Sequence, residues 1–165
     1  MAQLFVISAP SGTGKTSLIY KILEEELASK TKLGISCTTR KKRENEEAGV
    51  AYFFLTEEEF NKKINEGLFL EFAEVFGNLY GTPKDWVVST ISQGFDVILE
   101  LDVQGAVQVK NAYPDAKTIF IIPPSYEDLK NRLIKRDQDS VETINKRLAE
   151  AKQEVISGKD FDHLI

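Results

Sequence analysis

The chain has 165 residues, 42% hydrophobic and 28% charged, with a net charge of −5. That composition fits one globular domain with room for a small subdomain, and excludes a disordered chain. Its one cysteine, Cys37, and one histidine, His163, exclude an internal disulfide and a Cys/His zinc site, and leave little for a Ser-His-Asp site.

A reducing compartment follows from the cysteine usage. No apolar run nears the ~20 residues of a membrane span, and the N-terminal run is too short, and lacks the basic start, for a signal peptide. A cytoplasmic protein with no membrane partner is expected. The acidic balance argues against a nucleic-acid partner, although basic residues cluster at Arg40–Arg43 and at Arg132, Arg136 and Arg147.

Gln3–Ser8 is a continuous apolar run, as for a buried parallel strand. Lys15–Ser29 places Leu18, Ile19, Ile22, Leu23 and Leu27 at helical spacing. Lys32–Arg40, "KLGISCTTR", reads as a second strand running into a basic loop, and Gly49–Leu55 as a third. Thr56 with Glu59 forms a capping box for a helix over Glu57–Glu66. Leu68–Phe76 is strand-like, with Glu71 and Glu74 among apolar residues. Thr82 with Pro83 reads as the cap and first position of a helix that Gly94 closes.

Phe95–Asp102 is a strongly apolar strand ending in acids, followed by a short helix near Gln104–Asn111. Lys117–Ile122 is a further strand. Ser125 caps a helix reaching Lys135, and Arg136–Ser140 is a polar break. A helix from Ser140 carries Ile144, Leu148, Ala151 and Val155 on one face, and a strand begins near Asp160–Ile165. Alternating strands and helices imply an α/β fold with a parallel sheet flanked by helices.

Between the first strand and helix stands "APSGTGKT", Ala9–Thr16. Glycine reaches positive φ at little cost and lets backbone approach a ligand. The loop N–H groups and the helix start then form an anion site, with Lys15 reaching phosphates and the Thr16 hydroxyl a Mg²⁺. Ala9 stands where the strict pattern has its first glycine. The competing reading, a plain glycine turn with Lys15 solvated, explains neither the paired glycines nor Lys-Thr at the helix start. In "SCTTRKKR", Arg40 and Arg43 can converge on one phosphate through bidentate bonds, or be a solvated basic loop; Glu46, Tyr52, Glu71, Tyr80 and Thr82 join them from the motifs that follow.

Through "SAPSGTGKTSL", "SCTTRKKRENEEAGVAYFF", "FLEFAEVFGNLYGT", "ELDVQGA", "IFIIPPS", "LKNRLIKRDQDS" and "INKRLAEA", the chain resembles the guanylate kinase family over essentially its whole length. The resemblance implies a P-loop core (1–34, 95–124 and 145–165), an inserted strand-rich GMP-binding region (35–94) and a helical lid (125–144). It implies ATP-dependent phosphorylation of GMP and dGMP by direct in-line transfer, with Mg²⁺.

Ser11, Gly12, Thr13, Gly14, Lys15, Thr16, Ser17 and Arg136 would bind ATP. Ser36, Arg40, Arg43, Tyr52, Glu71, Tyr80, Thr82 and Asp102 would bind GMP. Lys15, Arg40, Arg43, Arg136 and Arg147 would share the charge of the migrating phosphoryl group. Thr16 would hold Mg²⁺, joined by Glu100, where the family commonly has aspartate. Asn45 and Asp137 stand where the family usually has glycine. The family continues past Ile165 with a loop and a terminal helix, so some apolar surface is expected to lie uncovered.

The donor chemistry agrees with that assignment. Guanine presents a ring N–H and an amino group on one edge, which a carboxylate accepts; adenine offers neither, and leaves the acceptor unpaired. Such sites reject the wrong ligand by roughly 10⁴-fold or more. Two other readings compete: a non-catalytic protein-binding module, against which the loop lysine and the arginines stand, and a P-loop GTPase, for which no Asn-Lys-x-Asp motif is present. A homodimer is left open.

Overall fold

The computed structural model describes residues 2–25, 29–44, 46–75, 77–135 and 141–165. Strand β1 (Leu4–Ser8) is apolar on both faces because both are covered. Leu4 and Val6 join a cluster with Leu70, Val87, Val97, Leu99 and Val109, while Ile7 packs with Ile19 and Ile98 on the other side. Helix α1 (Lys15–Glu24) follows directly. It is shorter than the Lys15–Ser29 helix expected: Glu25 turns to extended backbone at φ −77°, ψ 164°, where two adjacent glutamates add like charge without an apolar anchor. Leu27 lies outside the described residues.

Residues 32–40 form two strands instead of the one expected, and these belong to different sheets: β2 (Thr31–Leu33) and β3 (Cys37–Thr38). Gly34 sits at the crossover. Its N–H donates to the Ile98 carbonyl at 2.8 Å, and a Cβ there would stand 2.3 Å from Leu99 Cδ2, so the close approach requires glycine. Of the expected Gly49–Leu55 strand only β4 (Phe53–Phe54) is extended; Gly49 has φ 81° and opens a turn. Helix α2 (Glu57–Asn65) has the capping box that Thr56 and Glu59 encode, with both bonds present.

Strands β5 (Phe69–Val75) and β6 (Asn78–Pro83) form an antiparallel hairpin. Thr82 therefore lies in a strand and does not cap a helix; Pro83 takes the cap position, and α3 (Lys84–Ser92) begins after it. Then come β7 (Asp96–Glu100), α4 (Val103–Ala112), β8 (Lys117–Phe120), α5 (Tyr126–Lys135), α6 (Val141–Ser157) and β9 (His163–Leu164). One sheet is parallel, in the order β2-β7-β1-β8-β9; the other has four strands, β4-β3-β6-β5. The carboxyl end of β7, with Leu101 and Asp102 after it, shares a cleft with Thr82 of the second sheet, at the end of the strands where open α/β sheets bind ligands.

Helices α5 and α6 pair through Leu129, Leu133, Ile144, Leu148 and Ala151. The Arg136–Ser140 break, with Asp137 and the Ser140 cap, lies outside the described residues, as does Asn45. At the β8–β9 edge, Ile122, Leu164 and Ile165 are exposed. Cys37 is buried, and burial pushes its thiol up to about 11, so a structural reading fits it. No helix among the described residues is long and apolar enough to cross a membrane.

The entry to β9 is held by charge. Asp162 accepts from Lys110 Nζ at 2.9 Å and from the Thr118 N–H at 2.8 Å, and its own N–H donates to Thr118 Oγ1 at 2.9 Å. The Lys110 bond, foremost, lowers its carboxyl from 3.8 to about 2. A folded-state pKa below the unfolded one gives stability that is present above about pH 4 and lost as pH falls toward 2. The pair is partly exposed, so the contribution is modest. Asp162→Asn is expected to unfold at lower denaturant concentration at pH 7, with the gap to the parent chain closing in acid, as read by circular dichroism at pH 7, 4 and 2.

Candidate active site

The loop after β1 closes on itself: the Thr13 N–H donates to the Pro10 carbonyl at 3.1 Å, and Leu18 reaches back to Gly14 at 3.0 Å. Gly12 and Gly14 take φ of 91° and 100°, a region that side chains rarely enter. A Cβ on Gly12 would also press within 2.9 Å of Leu133, so α5 packs on the loop itself. The loop and the start of α1 line a cavity of about 310 Å³, with Ser11, Gly12, Gly14, Lys15, Thr16 and Ser17 in its wall. Inward backbone donors at a helix start suit an anion.

A second cavity of about 540 Å³ opens between the two sheets, lined by Ser36, Tyr52, Thr82, Leu101 and the residues around them. Lys15, Thr16, Glu100 and Asp102 line both cavities. The two spaces therefore meet at one lysine, one hydroxyl and two carboxylates. Lys15 Nζ donates to the Leu101 carbonyl at 2.9 Å and lies 4.0 Å from Glu100. Burial lowers the Lys15 pKa, and Glu100 and Asp102 oppose that shift.

Thr16 Oγ1 donates to Glu100 at 2.5 Å. Its lone pairs stay available to a hard cation, and the carboxylate orients them. Magnesium takes one or two protein oxygens and completes its shell with substrate phosphates and water, so this donor set fits it.

Glu71 is buried, 6% exposed, and accepts from Thr82 Oγ1 at 2.6 Å. Burial raises its pKa, and the Thr82 bond partly offsets the rise. The hairpin register puts the two residues side by side. Asp102 has a structural task as well: its Oδ1 caps α4 by accepting from the Gly105 N–H at 2.7 Å.

Arg40, Tyr52 and Tyr80 form a second group. The Arg40 guanidinium sits 5.4 Å from the Tyr52 ring centre, and Tyr52 meets Tyr80 edge-on at 5.9 Å. Arg43 is exposed. Arg147 Nη1 donates to Ser11 Oγ at 3.3 Å, so α6 reaches the loop; Arg136 lies outside the described residues.

Two residues were not singled out for the site from sequence. Arg132 Nη1 donates to the Thr13 carbonyl at 2.6 Å; its place one helical turn before Arg136 was the available signal. Glu154 faces the loop cavity from α6, its pKa raised by burial. Glu46, which the sequence groups with Tyr52 beside the basic run, binds Arg40 Nη2 at 2.6 Å.

The family model described as guanylate kinase matches residues 1–165. The chain is 52% identical to a guanylate kinase of Hahella chejuensis over 163 residues, covering 99% of this chain and 77% of that protein. It is 47% identical to a guanylate kinase of Thermotoga maritima over 163 residues, with coverage of 99% and 78%. Among solved structures, the crystal structure of guanylate kinase from Anaplasma phagocytophilum superposes with a TM-score of 0.70 at 30% identity, covering 99% of this chain and 76% of that one.

Proposed function

Since the chain belongs to the guanylate kinase family and is an enzyme that phosphorylates GMP with ATP, we propose that its two joined cavities hold the two nucleotides. The loop cavity takes the ATP phosphates and the inter-sheet cavity takes GMP or dGMP. The observation that carries this reading is the shared wall of Lys15, Thr16, Glu100 and Asp102. An acceptor phosphate in one space would face a donor phosphate in the other across a single lysine.

In that arrangement a GMP phosphate oxygen attacks the γ-phosphorus, the bond to the β-phosphate oxygen breaks, and ADP leaves. A phosphate nucleophile needs no general base. The protein supplies alignment and charge. Lys15 and the loop N–H groups hold the β- and γ-phosphates. Arg40, Arg43, Tyr52 and Tyr80 hold the acceptor phosphate. Ser36, Glu71, Thr82 and Asp102 read the guanine edge, and Arg147 with Arg136 close from the α5–α6 side.

Mg²⁺, held by Thr16 with Glu100 behind it, would neutralise phosphate charge. The division into a core (1–34, 95–124, 145–165), a GMP-binding region (35–94) and a lid (125–144) belongs to the same reading. The separation of the two sheets and the packing of α5 on the loop support it. The cytoplasm is the compartment that fits a nucleotide kinase.

The test is a Mg²⁺ titration of the rate. Thr16→Val removes the proposed ligand atom while keeping the side-chain shape. It is expected to raise the Mg²⁺ concentration for half-maximal rate about tenfold or more. An unchanged Mg²⁺ requirement would remove Thr16 from the metal site.

A further inference from the structure

Glu46 makes three contacts with the loop that would bind the acceptor phosphate. Its Oε1 accepts from Arg40 Nη2 at 2.6 Å, its Oε2 from the Arg43 N–H at 2.9 Å, and its own N–H donates to the Arg43 carbonyl at 3.2 Å. Arg40 Nη1 is tied to the Lys41 carbonyl at 2.9 Å. The carboxylate thus closes the loop across the basic run Arg40–Arg43, where four adjacent cations would otherwise repel.

A guanidinium has five N–H donors in a fixed fork. Oxygens of Glu46 and Lys41 fix its plane while further N–H groups remain to meet a phosphate. Tyr52 lies across one face at 5.4 Å.

We propose that Glu46 is the positioning residue of the GMP-phosphate site, holding Arg40 and the Arg43 loop in the arrangement that receives a phosphate dianion. This rests on the assignment of Arg40 and Arg43 to the GMP phosphate. An arginine already held in place loses less conformational freedom when it binds. The carboxylate stays on Arg40 when GMP enters, and Glu46 strengthens GMP binding although it carries the same sign of charge.

The measurement is the KM for GMP, the KM for ATP and kcat for Glu46→Ala and Glu46→Gln, with the dissociation constant of GMP by calorimetry in the absence of ATP. Glu46→Ala is expected to raise the GMP constants on the order of tenfold, with the KM for ATP unchanged and kcat altered less than about threefold. Glu46→Gln keeps one of the two acceptor oxygens and loses the charge, and is expected to fall between Glu46→Ala and the parent chain. Should Glu46→Ala melt early, Glu46→Gln carries the test alone.

Tighter or unchanged GMP binding in both variants would overturn the proposal, since Glu46 would then be a competitor for the arginine or a bystander. Equal losses for GMP and ATP would overturn it too, by showing a general effect on folding. Arg40→Met separates the two layers. If it leaves GMP binding unchanged, the assignment of Arg40 fails; if it weakens GMP while the Glu46 variants do not, only the role of Glu46 fails.

Discussion

Lys15→Met is expected to lower kcat on the order of 10²–10³-fold while leaving the chain folded, the loss typical of one preorganised charge at a phosphoryl centre. Lys15 lies at the seam of both cavities. In the proposed arrangement it would follow charge from donor to acceptor phosphate. Its fold contribution is small by comparison. Burial works against its charge; its ammonium donates to the Leu101 carbonyl and lies 4.0 Å from Glu100.

Methionine keeps the apolar stem and removes a desolvated ammonium, at the cost of one carbonyl bond. A net change of about 1 kcal/mol would shift Tm by only about 2–4 °C in a chain of this size. Initial rates with saturating GMP, beside a thermal melt, check both halves. A variant that keeps more than a tenth of the parent kcat would remove Lys15 from the transition state.

Glu71→Gln is expected to erase most of the discrimination between guanine and adenine. The carboxylate is nearly fully enclosed, and one oxygen is fixed by Thr82. Its partner Thr82 lines the inter-sheet cavity, and the carboxylate's remaining acceptor capacity would suit the ring N–H and amino group of guanine in the proposed site. Hydrogen bonds to charged groups contribute about 1.5–3 kcal/mol each. Losing two of them would lower kcat/KM for GMP on the order of 10²–10⁴-fold.

Adenine offers nothing to those oxygens, so the rate with AMP changes little and the ratio collapses. Burial also raises the pKa of Glu71, the residue proposed to read guanine. The KM for GMP is therefore expected to climb with falling pH sooner than an ordinary carboxylate would dictate. A GMP-to-AMP ratio that survives the substitution would place base recognition elsewhere.

The elements read best from sequence were those whose pattern is local. The run before the glycine loop, Phe95–Asp102 and Lys117–Ile122 each carry enough apolar residues to mark a strand covered on both faces. The capping box at Thr56 and Glu59 is complete within four residues. The second sheet was harder. Strands β3 and β4 are two residues long, and no periodicity shows over such a span. The switch of chain between sheets at Gly34 is set by its contact with Leu99, 65 residues away.

Thr82 looked like a helix cap because it precedes proline. In the fold that threonine spends its hydroxyl on Glu71, through a pairing that exists only once the hairpin forms. The candidate site divides the same way. Lys15, Thr16 and the glycines announce their chemistry in adjacent positions. Arg132 does not: it acts through a contact that needs the folded chain, reaching Thr13 from 119 positions away. Glu46 stands in a motif that points to the site, but its bond to Arg40 is seen only in the folded loop. Asp102 shows a further ambiguity, since its position both caps α4 and faces the two cavities.

The most direct test of the account is ADP release by the 165-residue chain from Mg-ATP, run in parallel with GMP, AMP, UMP and no acceptor. ADP is expected with GMP, matched by an equal amount of GDP, with at least about 10⁴-fold lower kcat/KM for AMP. Comparable ADP with AMP, ADP in the absence of any acceptor, or none with GMP would contradict it.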